Sequence, residues 1–380
     1  MSHVDLAFTE VEFKARLVAV RKAMAETEVD VAILDEIESM TWVSGFGISE
    51  TLWRACIVPR SDEPFLIVRS LDIVPARERS WLPHIVGFKD WDDPVEILVE
   101  ELRRRRLDQA SIGIEFQSQS MSIARLKQLQ SSLPGARFKD LGGRLRALRT
   151  IKSEAEVAYL RRAAEICDAA LLNAVKAVRV GGTQRDVVKA AGMTYLEMGA
   201  DIGPVGPITS GVGWGALHGN EHTHPIEPGA IVHIELTPRV RGYSARIMRS
   251  VTVGSPIRRQ LEVMQTLIET QDAQLKAIVP GAKARDIDAL VREPVMQRGL
   301  RPSFDNITGY ALGCFPATTQ KVSDLSHAFT PLADWTITEG MTLHMYVSAE
   351  GLAVSESIVV REAGIERLTR SERKLFSVPA

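Results

Sequence analysis

The second half of this chain carries a faint internal duplication, which strongly limits the folds that it can adopt. Residues 176–187 (KAVRVGGTQRDV) resemble residues 276–287 (KAIVPGAKARDI), and each copy predicts two helices joined at a glycine turn. A glycine-led strand follows each copy, GAIVHIEL from Gly229 and GMTLHMYV from Gly340. Because repeated units bury their apolar faces against each other, we predict a pseudo-two-fold internal repeat whose two halves enclose a cleft.

The two glycine-led strands align without a gap, which places His233 on His344 and Glu235 on Tyr346. His233 and Glu235 alternate with apolar residues, and this period of two indicates a β-strand that carries both on one face. A hairpin partner strand would bring Arg246 near them. A carboxylate, imidazoles and a guanidinium on one face predict a functional site. The alternative is a hairpin whose polar face meets solvent.

The hairpin lies within a histidine-rich segment that runs from Trp214 to Val253. This segment contains four of the eight histidines of the chain: His218, His222, His224 and His233. His218 is the strongest catalytic candidate among them. For His222 and His224, a solvated loop remains the alternative to a role in the site.

The first part of the chain predicts a separate α/β domain. Residues 9–27 have apolar positions at helical spacing, and short apolar strands follow at residues 29–34, 54–59 and 65–69. A break falls at Gly142-Gly143, and Ser153 with Glu156 then forms the pattern of a helix capping box. We therefore predict an N-terminal domain over residues 1–146 and a catalytic domain over residues 147–380.

Composition excludes several classes of protein. The net charge of −2 argues against a broad nucleic-acid-binding or anionic-membrane surface, and no apolar run reaches the length of a spanning helix. The N-terminus lacks the apolar core of a signal peptide. Three cysteines, which are distant from one another, indicate no disulfide framework. We expect a cytoplasmic protein with a small-molecule substrate and neither nucleic acid nor membrane as partner.

Five segments of this sequence resemble one known family. They are RTIKSEAEVAYLRRAAEICDAAL, LHGNEHTHP, IVHIELTPRVRGYSARIMRSV, ITGYALG and GMTLHMYV. Their order is similar to that of the creatinase/prolidase/aminopeptidase P family, which has the pita-bread fold. The resemblance covers essentially the whole chain. It implies an α/β N-terminal domain followed by an α+β pita-bread domain, and it also implies a homodimer.

The resemblance also implies a pair of divalent metal ions held by two Asp, one His and two Glu, and this chain departs from that set. The five matching positions hold Glu235, Arg246, Tyr310, Tyr346 and Ser355, the last with Glu356 beside it. Hydrolytic metal centres need a carboxylate-rich donor set, and an arginine is a permanent cation. We therefore predict no dinuclear metal centre and no cofactor.

Two metal-free branches of the family, those of creatinase and ectoine hydrolase, resemble this chain more closely. They imply a hydrolase that cleaves a C–N bond in a small cyclic amidine, guanidino or amide compound. The predicted catalytic residues are His218, Glu235 and His344. The predicted substrate-binding residues are His222, His233, Arg246, Tyr310, Tyr346, Glu356, Trp53 and Arg54.

Several of these roles have alternatives. Arg246 is either a clamp for a substrate carboxylate or a structural partner of Glu235 or Glu356. Trp53 and Arg54 match positions that reach the pocket of the neighbouring subunit in creatinase-like dimers, or they simply begin a surface strand. The alternative functions are an Xaa-Pro metallopeptidase with atypical ligands and a catalytically silent pita-bread binding domain.

Overall fold

A computed structural model describes residues 4–47, 53–213, 215, 217–316 and 323–380 of the chain. Trp214 and part of the loop that precedes Trp53 lie outside these residues. The chain divides into two compact units between Arg149 and Thr150, and Phe315 and Pro316 group with the first unit.

The first unit is built on a six-stranded mixed sheet with helices packed against it. Its strands are β1 Val31–Leu34, β2 Ala55–Pro59, β3 Phe65–Arg69, β4 His84–Phe88, β5 Ser111–Ile114 and β6 Arg137–Asp140. The strand order is β4-β3-β2-β1-β5-β6, in which β2 runs antiparallel to both of its neighbours. Its helices are α1 Glu10–Glu26, α2 Ile37–Ser44, α3 Ile73–Arg79, α4 Pro94–Arg104, α5 Ile123–Ser132 and α6 Gly142–Thr150. The α/β architecture predicted for this region is confirmed.

The second unit contains the predicted repeat, because each half has two helices followed by an antiparallel sheet. The helices are α7 Glu154–Ala177, α8 Gln184–Glu197, α9 Arg258–Ala277 and α10 Ala284–Gln297. The first half has strands β7 Ile208–Gly211, β8 Ile231–Leu236, β9 Arg239–Val240, β10 Tyr243–Ser244 and β11 Ile247–Val253. The second half has β12 Gly309–Ala311, β13 Asp324–Ala328, β14 Thr342–Ala349, β15 Leu352–Arg361 and β16 Gly364–Arg367. The last strand, β17 Phe376–Val378, pairs with β11 and so joins the sheet of the first half.

Local sequence explains where these elements begin and turn. Ser153 and Glu156 form both hydrogen bonds of the capping box at the start of α7, as the sequence predicts. The hairpin between β9 and β10 turns at Arg241 and Gly242, whose φ angles of 54° and 83° are those of a two-residue turn. The carboxylate of Asp201 accepts hydrogen bonds from both of their backbone amides, which fixes the turn.

The two sheets of the second unit meet along β11 and β15, where serine side chains join them. Met248 N donates to Ser355 Oγ at 2.7 Å, and Arg246 N donates to Ser357 Oγ at 2.7 Å. Every residue of β8 is buried, so the alternation in that strand marks two buried faces and no solvent-facing side. The prediction of a strand is confirmed, and the alternative of a solvent-facing hairpin is wrong. None of the helices in the described parts of the chain is long and apolar enough to cross a membrane.

Candidate functional site

The principal cavity of interest lies in the second unit and has a volume of about 610 Å³. Polar groups from both halves of the repeat converge on it: His218, Glu235, Arg246, Tyr310, Ser323 and Tyr346. An apolar wall with a few convergent polar groups is typical of small-molecule sites. The strands therefore bring together four of the five positions that the family resemblance associates with metal binding.

Glu235 and Arg246, which both line this cavity, form an ion pair. Arg246 Nη1 donates to Glu235 Oε1 at 3.0 Å, and the two side chains are only 7% and 3% exposed. The Arg246 guanidinium also lies 5.4 Å from the centre of the Tyr310 ring. Burial raises the pKa of Tyr310, although the neighbouring guanidinium opposes this rise. Tyr310 is thus a neutral hydroxyl beside a charged pair.

The donors at this site do not fit the metal pair that the fold family implies. The Glu235 carboxylate is engaged by a buried arginine, and phenols stand where imidazole and carboxylate ligands would be needed. The hydroxyl of Ser355 accepts a hydrogen bond from the backbone amide of Met248 and so joins the two sheets. Among the residues that the structure describes, no group of three His, Cys, Asp or Glu is placed to hold a metal ion.

His233 and His344 occupy equivalent positions in the two halves, and both are fully buried. Burial lowers the pKa of His233 to about 3 and that of His344 well below its usual value, so both rings are neutral. Their ring nitrogens have no hydrogen-bond partner among the described residues. The His344 ring lies 5.5 Å from the Tyr346 ring and 5.1 Å from the Tyr310 ring. Neither the His233 nor the His344 side chain has exposed surface or lines the Glu235 cavity. The catalytic role of His344 and the substrate-binding role of His233 stay predictions.

The remaining histidines of the predicted site separate into two places. His218 lines the cavity beside Glu235. His222 is held by Gln184, which accepts from its backbone amide at 3.0 Å and lies 3.2 Å from its Nε2. The rings of His222 and His224 are 4.7 Å apart and line a smaller cavity of about 200 Å³. The structure therefore does not bring His222 to the Glu235 cavity.

Glu356 is also absent from the cavity walls, contrary to the role predicted for it. Its carboxylate is fully buried, accepts from Arg249 Nη2 at 2.8 Å and is also bonded by the Thr369 hydroxyl. Arg249 donates further to the carbonyl oxygens of Met248 and Ser355 at 2.8 Å each. This buried network leaves Glu356 no surface to offer a substrate, so we assign it a structural role.

Trp53 and Arg54 lie inside the first unit. Trp53 Nε1 donates to Asp35 Oδ2 at 2.7 Å, and Arg54 Nη2 donates to the Gly47 carbonyl oxygen at 3.3 Å. Both residues are buried within the chain, with 4% and 8% of their surfaces exposed. The alternative of a surface strand start is therefore wrong, and their proposed reach into a neighbouring subunit stays a prediction.

A second cavity, which the sequence interpretation missed, adjoins the first. It has a volume of about 640 Å³ and shares His218, Met248 and Tyr346 with the Glu235 cavity. Arg301 and Asn306 contribute its polar groups from the loop after α10. No motif surrounds these loop residues, so the sequence carried no signal that could have identified them.

Comparisons with known proteins match both units to described families. Residues 16–151 match the Creatinase/Prolidase N-terminal domain, and residues 158–362 match Metallopeptidase family M24. The chain belongs to metallopeptidase family M24. This membership confirms the family resemblance and the two-domain pita-bread architecture, and it makes hydrolysis the expected class of chemistry.

The relatives extend over almost the entire chain. The Xaa-Pro dipeptidase of Pyrococcus furiosus is 27% identical over 371 residues, which cover 96% of this chain and 100% of that protein. The Xaa-Pro dipeptidase of Lactobacillus helveticus is 23% identical, covering 94% and 97%. The crystal structure of X-Pro aminopeptidase from Thermotoga maritima MSB8 superimposes with a TM-score of 0.82 at 22% identity, covering 95% and 99%. At that identity the structural match establishes the fold alone.

Proposed function

We propose that this chain hydrolyses a C–N bond of a small substrate in the Glu235 cavity, with side chains in place of a two-metal centre. The observation that carries the proposal is the buried Glu235–Arg246 ion pair, at positions where the family resemblance implies two metal-binding carboxylates. A guanidinium at 3.0 Å from the only carboxylate of that set competes directly with any cation. The metal ligands of the family are replaced here, but the cavity is still lined by polar side chains. This combination favours activation of water by side chains.

Glu235 and His218 divide the proton transfers in the mechanism that we propose. A water molecule gives a proton to the Glu235 carboxylate while its oxygen forms a bond to the electrophilic carbon. The C–N bond then breaks, and His218 donates a proton to the departing nitrogen. Glu235 then returns to His218 the proton that it took from water, which restores both residues. Tyr310 donates a hydrogen bond to the charge that develops on the substrate. The positive charge of Arg246, no longer balanced once Glu235 has taken the proton, stabilises that developing charge. Water thus adds its hydroxyl to carbon and a proton to nitrogen.

The substrate class rests on the family resemblance. On the resemblance to creatinase and ectoine hydrolase, we propose a cyclic amidine, a guanidino acid or an amide. The resemblance alone also supports a cytoplasmic homodimer, and light scattering on the purified protein tests the dimer.

A second candidate is an Xaa-Pro dipeptidase, and the comparisons favour it. Relatives named Xaa-Pro dipeptidase match nearly the full length of this chain, and a peptide bond is itself a C–N bond. The donor set at Glu235 favours the metal-independent mechanism instead. The two candidates therefore differ in metal requirement and in the bond that is cleaved.

One experiment separates these candidates. The purified protein is analysed for bound metals and incubated with ectoine, creatine, hydantoin and glycyl-proline, with and without EDTA or added Mn²⁺. We expect EDTA-resistant turnover of at least one compound, and loss of that turnover in the isosteric variant Glu235→Gln at a temperature where circular dichroism shows that variant to be folded. About two bound ions per chain together with Mn²⁺-dependent cleavage of glycyl-proline would establish the dipeptidase. Absence of turnover under every condition would refute both enzymes and favour a binding domain.

A further inference from the structure

The second cavity adjoins the Glu235 cavity. The two share the side chains of His218, Met248 and Tyr346, and their volumes of about 610 and 640 Å³ are similar. Tyr346 is held at their junction, because its hydroxyl accepts a hydrogen bond from Asn306 Nδ2 at 3.0 Å. A ligand whose reacting bond lies beside Glu235 therefore has room to extend past Tyr346 into the second cavity.

Arg301 is the cation of this second cavity. Its guanidinium lies 4.2 Å from the centre of the Phe304 ring, which restricts the orientation of the planar group. Its Nη1 atom is buried and has no hydrogen-bond partner among the described residues. Burial lowers the pKa of Arg301, which reflects the cost of holding the charge there. A guanidinium donor in this state is suited to an anion that completes its hydrogen bonds.

Neighbouring groups leave one donor of Arg301 unused. Asp305 attracts the Arg301 guanidinium electrostatically, but no group accepts a hydrogen bond from its buried Nη1 among the described residues. Arg292 approaches the same Phe304 ring at 4.5 Å, yet it is already neutralised by Asp288, with Nε 2.7 Å from Oδ2. Glu350 lines the second cavity, but Arg259 binds its carboxylate, with Nε donating to Oε2 at 3.2 Å. Among the described residues of this cavity, Arg301 therefore keeps a buried donor, its Nη1 atom, from which no protein group accepts a hydrogen bond.

We propose that the second cavity binds a carboxylate of the substrate and that Arg301 is the residue that selects it. The guanidinium presents paired N–H groups that match a carboxylate in a bidentate arrangement. Arg246, the earlier candidate for such a clamp, is committed to Glu235 at 3.0 Å. The position of the reacting bond rests on the proposed function, whereas binding of the carboxylate does not. The substrate is thus a small C–N compound with a carboxylate beyond Tyr346.

The test uses two probes that differ only in this group, N-acetyl-L-proline and N-acetyl-L-prolinamide, measured by calorimetry on the full chain. Charge-assisted hydrogen bonds predict that the acid binds the unmodified protein about tenfold to a hundredfold more tightly than the amide. Arg301→Gln is expected to abolish this preference, and Arg301→Lys to retain part of it. Arg298→Gln is the matched control, because Arg298 is exposed three residues away and carries the same charge. Equal melting temperatures of the variants establish that all of them fold.

The outcomes distinguish this inference from the proposed function. Equal binding of acid and amide by the unmodified protein, or no measurable binding of either, would overturn the carboxylate site. A preference that survives in Arg301→Gln would do the same. If Arg301→Gln loses the preference while no compound is turned over by any variant, the carboxylate site stands and the hydrolase proposal fails. Turnover that depends on Glu235 but ignores the carboxylate would leave the hydrolase and remove the site.

Discussion

Removing one partner of the Glu235–Arg246 pair is the most direct test of how this site is built. Glu235→Gln keeps the shape of the side chain and removes only its charge. Arg246 then remains as a buried cation that has lost its carboxylate counter-ion, with the centre of the Tyr310 ring at 5.4 Å. A cation–π contact recovers at most about 2 kcal/mol. The variant is therefore expected to be strongly destabilised.

The magnitude follows from the burial of both side chains, which are 7% and 3% exposed. Breaking a buried pair by removing one partner costs about 3–5 kcal/mol, because the other charge stays desolvated and loses its counter-ion. Replacing both partners by apolar groups of similar volume is often neutral. We expect Glu235→Gln to lose about 3 kcal/mol of unfolding free energy, and the double variant Glu235→Leu with Arg246→Met to recover most of it.

Equilibrium urea unfolding, followed by circular dichroism, measures the effect. The loss should appear in the transition of the second unit, since the chain has two compact units and each requires its own fit. Glu362→Gln is the control, because Glu362 is exposed and the chemical change is identical. If Glu235→Gln unfolds at the same urea concentration as the unmodified protein, or the double variant is less stable than either single variant, the pair is not the buried unit described above.

Three further predictions address other residues. Burial raises the pKa of Glu115 from 4.5 to about 8, so the folded chain holds a proton that the unfolded chain releases between those pH values. The unfolding free energy of the unmodified protein should therefore fall as pH rises through this window. Relative to it, Glu115→Gln should become more stable from pH 5 to pH 8, by at most about 1.4 kcal/mol per pH unit in urea unfolding. If the unfolding free energies of the two proteins change with pH in parallel, this prediction is wrong. A Cβ on Gly206, whose φ is +130°, would lie 2.2 Å from the Glu235 carbonyl oxygen, so Gly206→Ala should cost more than about 1 kcal/mol, whereas Gly203→Ala, with nothing within 4 Å, should not. His344→Leu should change unfolding free energy by less than about 1.5 kcal/mol and preserve turnover, and complete loss of turnover would support a catalytic role for His344.

Much of the fold could be predicted because the responsible interactions are local. The capping box involves only Ser153 and Glu156, which are three residues apart in the sequence. The Arg241-Gly242 turn needs only two consecutive residues with positive φ. The repeat was visible because both copies must satisfy the same helix-turn-helix geometry. Burial of β8 on both faces was not predicted, because alternation identifies a strand without saying what covers each face.

The functional site was predictable only in part. Glu235, Arg246, Tyr310 and Tyr346 converge as the repeat implies, because strand register carries each of them to the cavity. His344 and Glu356 were misplaced, since a strand pattern cannot tell a side chain at the cavity from one buried behind it. Arg301 went unnoticed because its loop lies outside every motif, and its role depends on a cavity that several segments build.

The sequence by itself determined the repeat, the hairpins and the loss of the metal-binding residue types, because these depend on residue identity and short-range spacing. Only the tertiary structure decided which acid pairs with which arginine. Glu235 pairs with Arg246 and Glu356 with Arg249, because charges buried in a low-dielectric interior bind whichever opposite charge the sheets bring within hydrogen-bond distance. Because Arg246 is paired with Glu235, we propose Arg301 as the residue that donates hydrogen bonds to the substrate carboxylate.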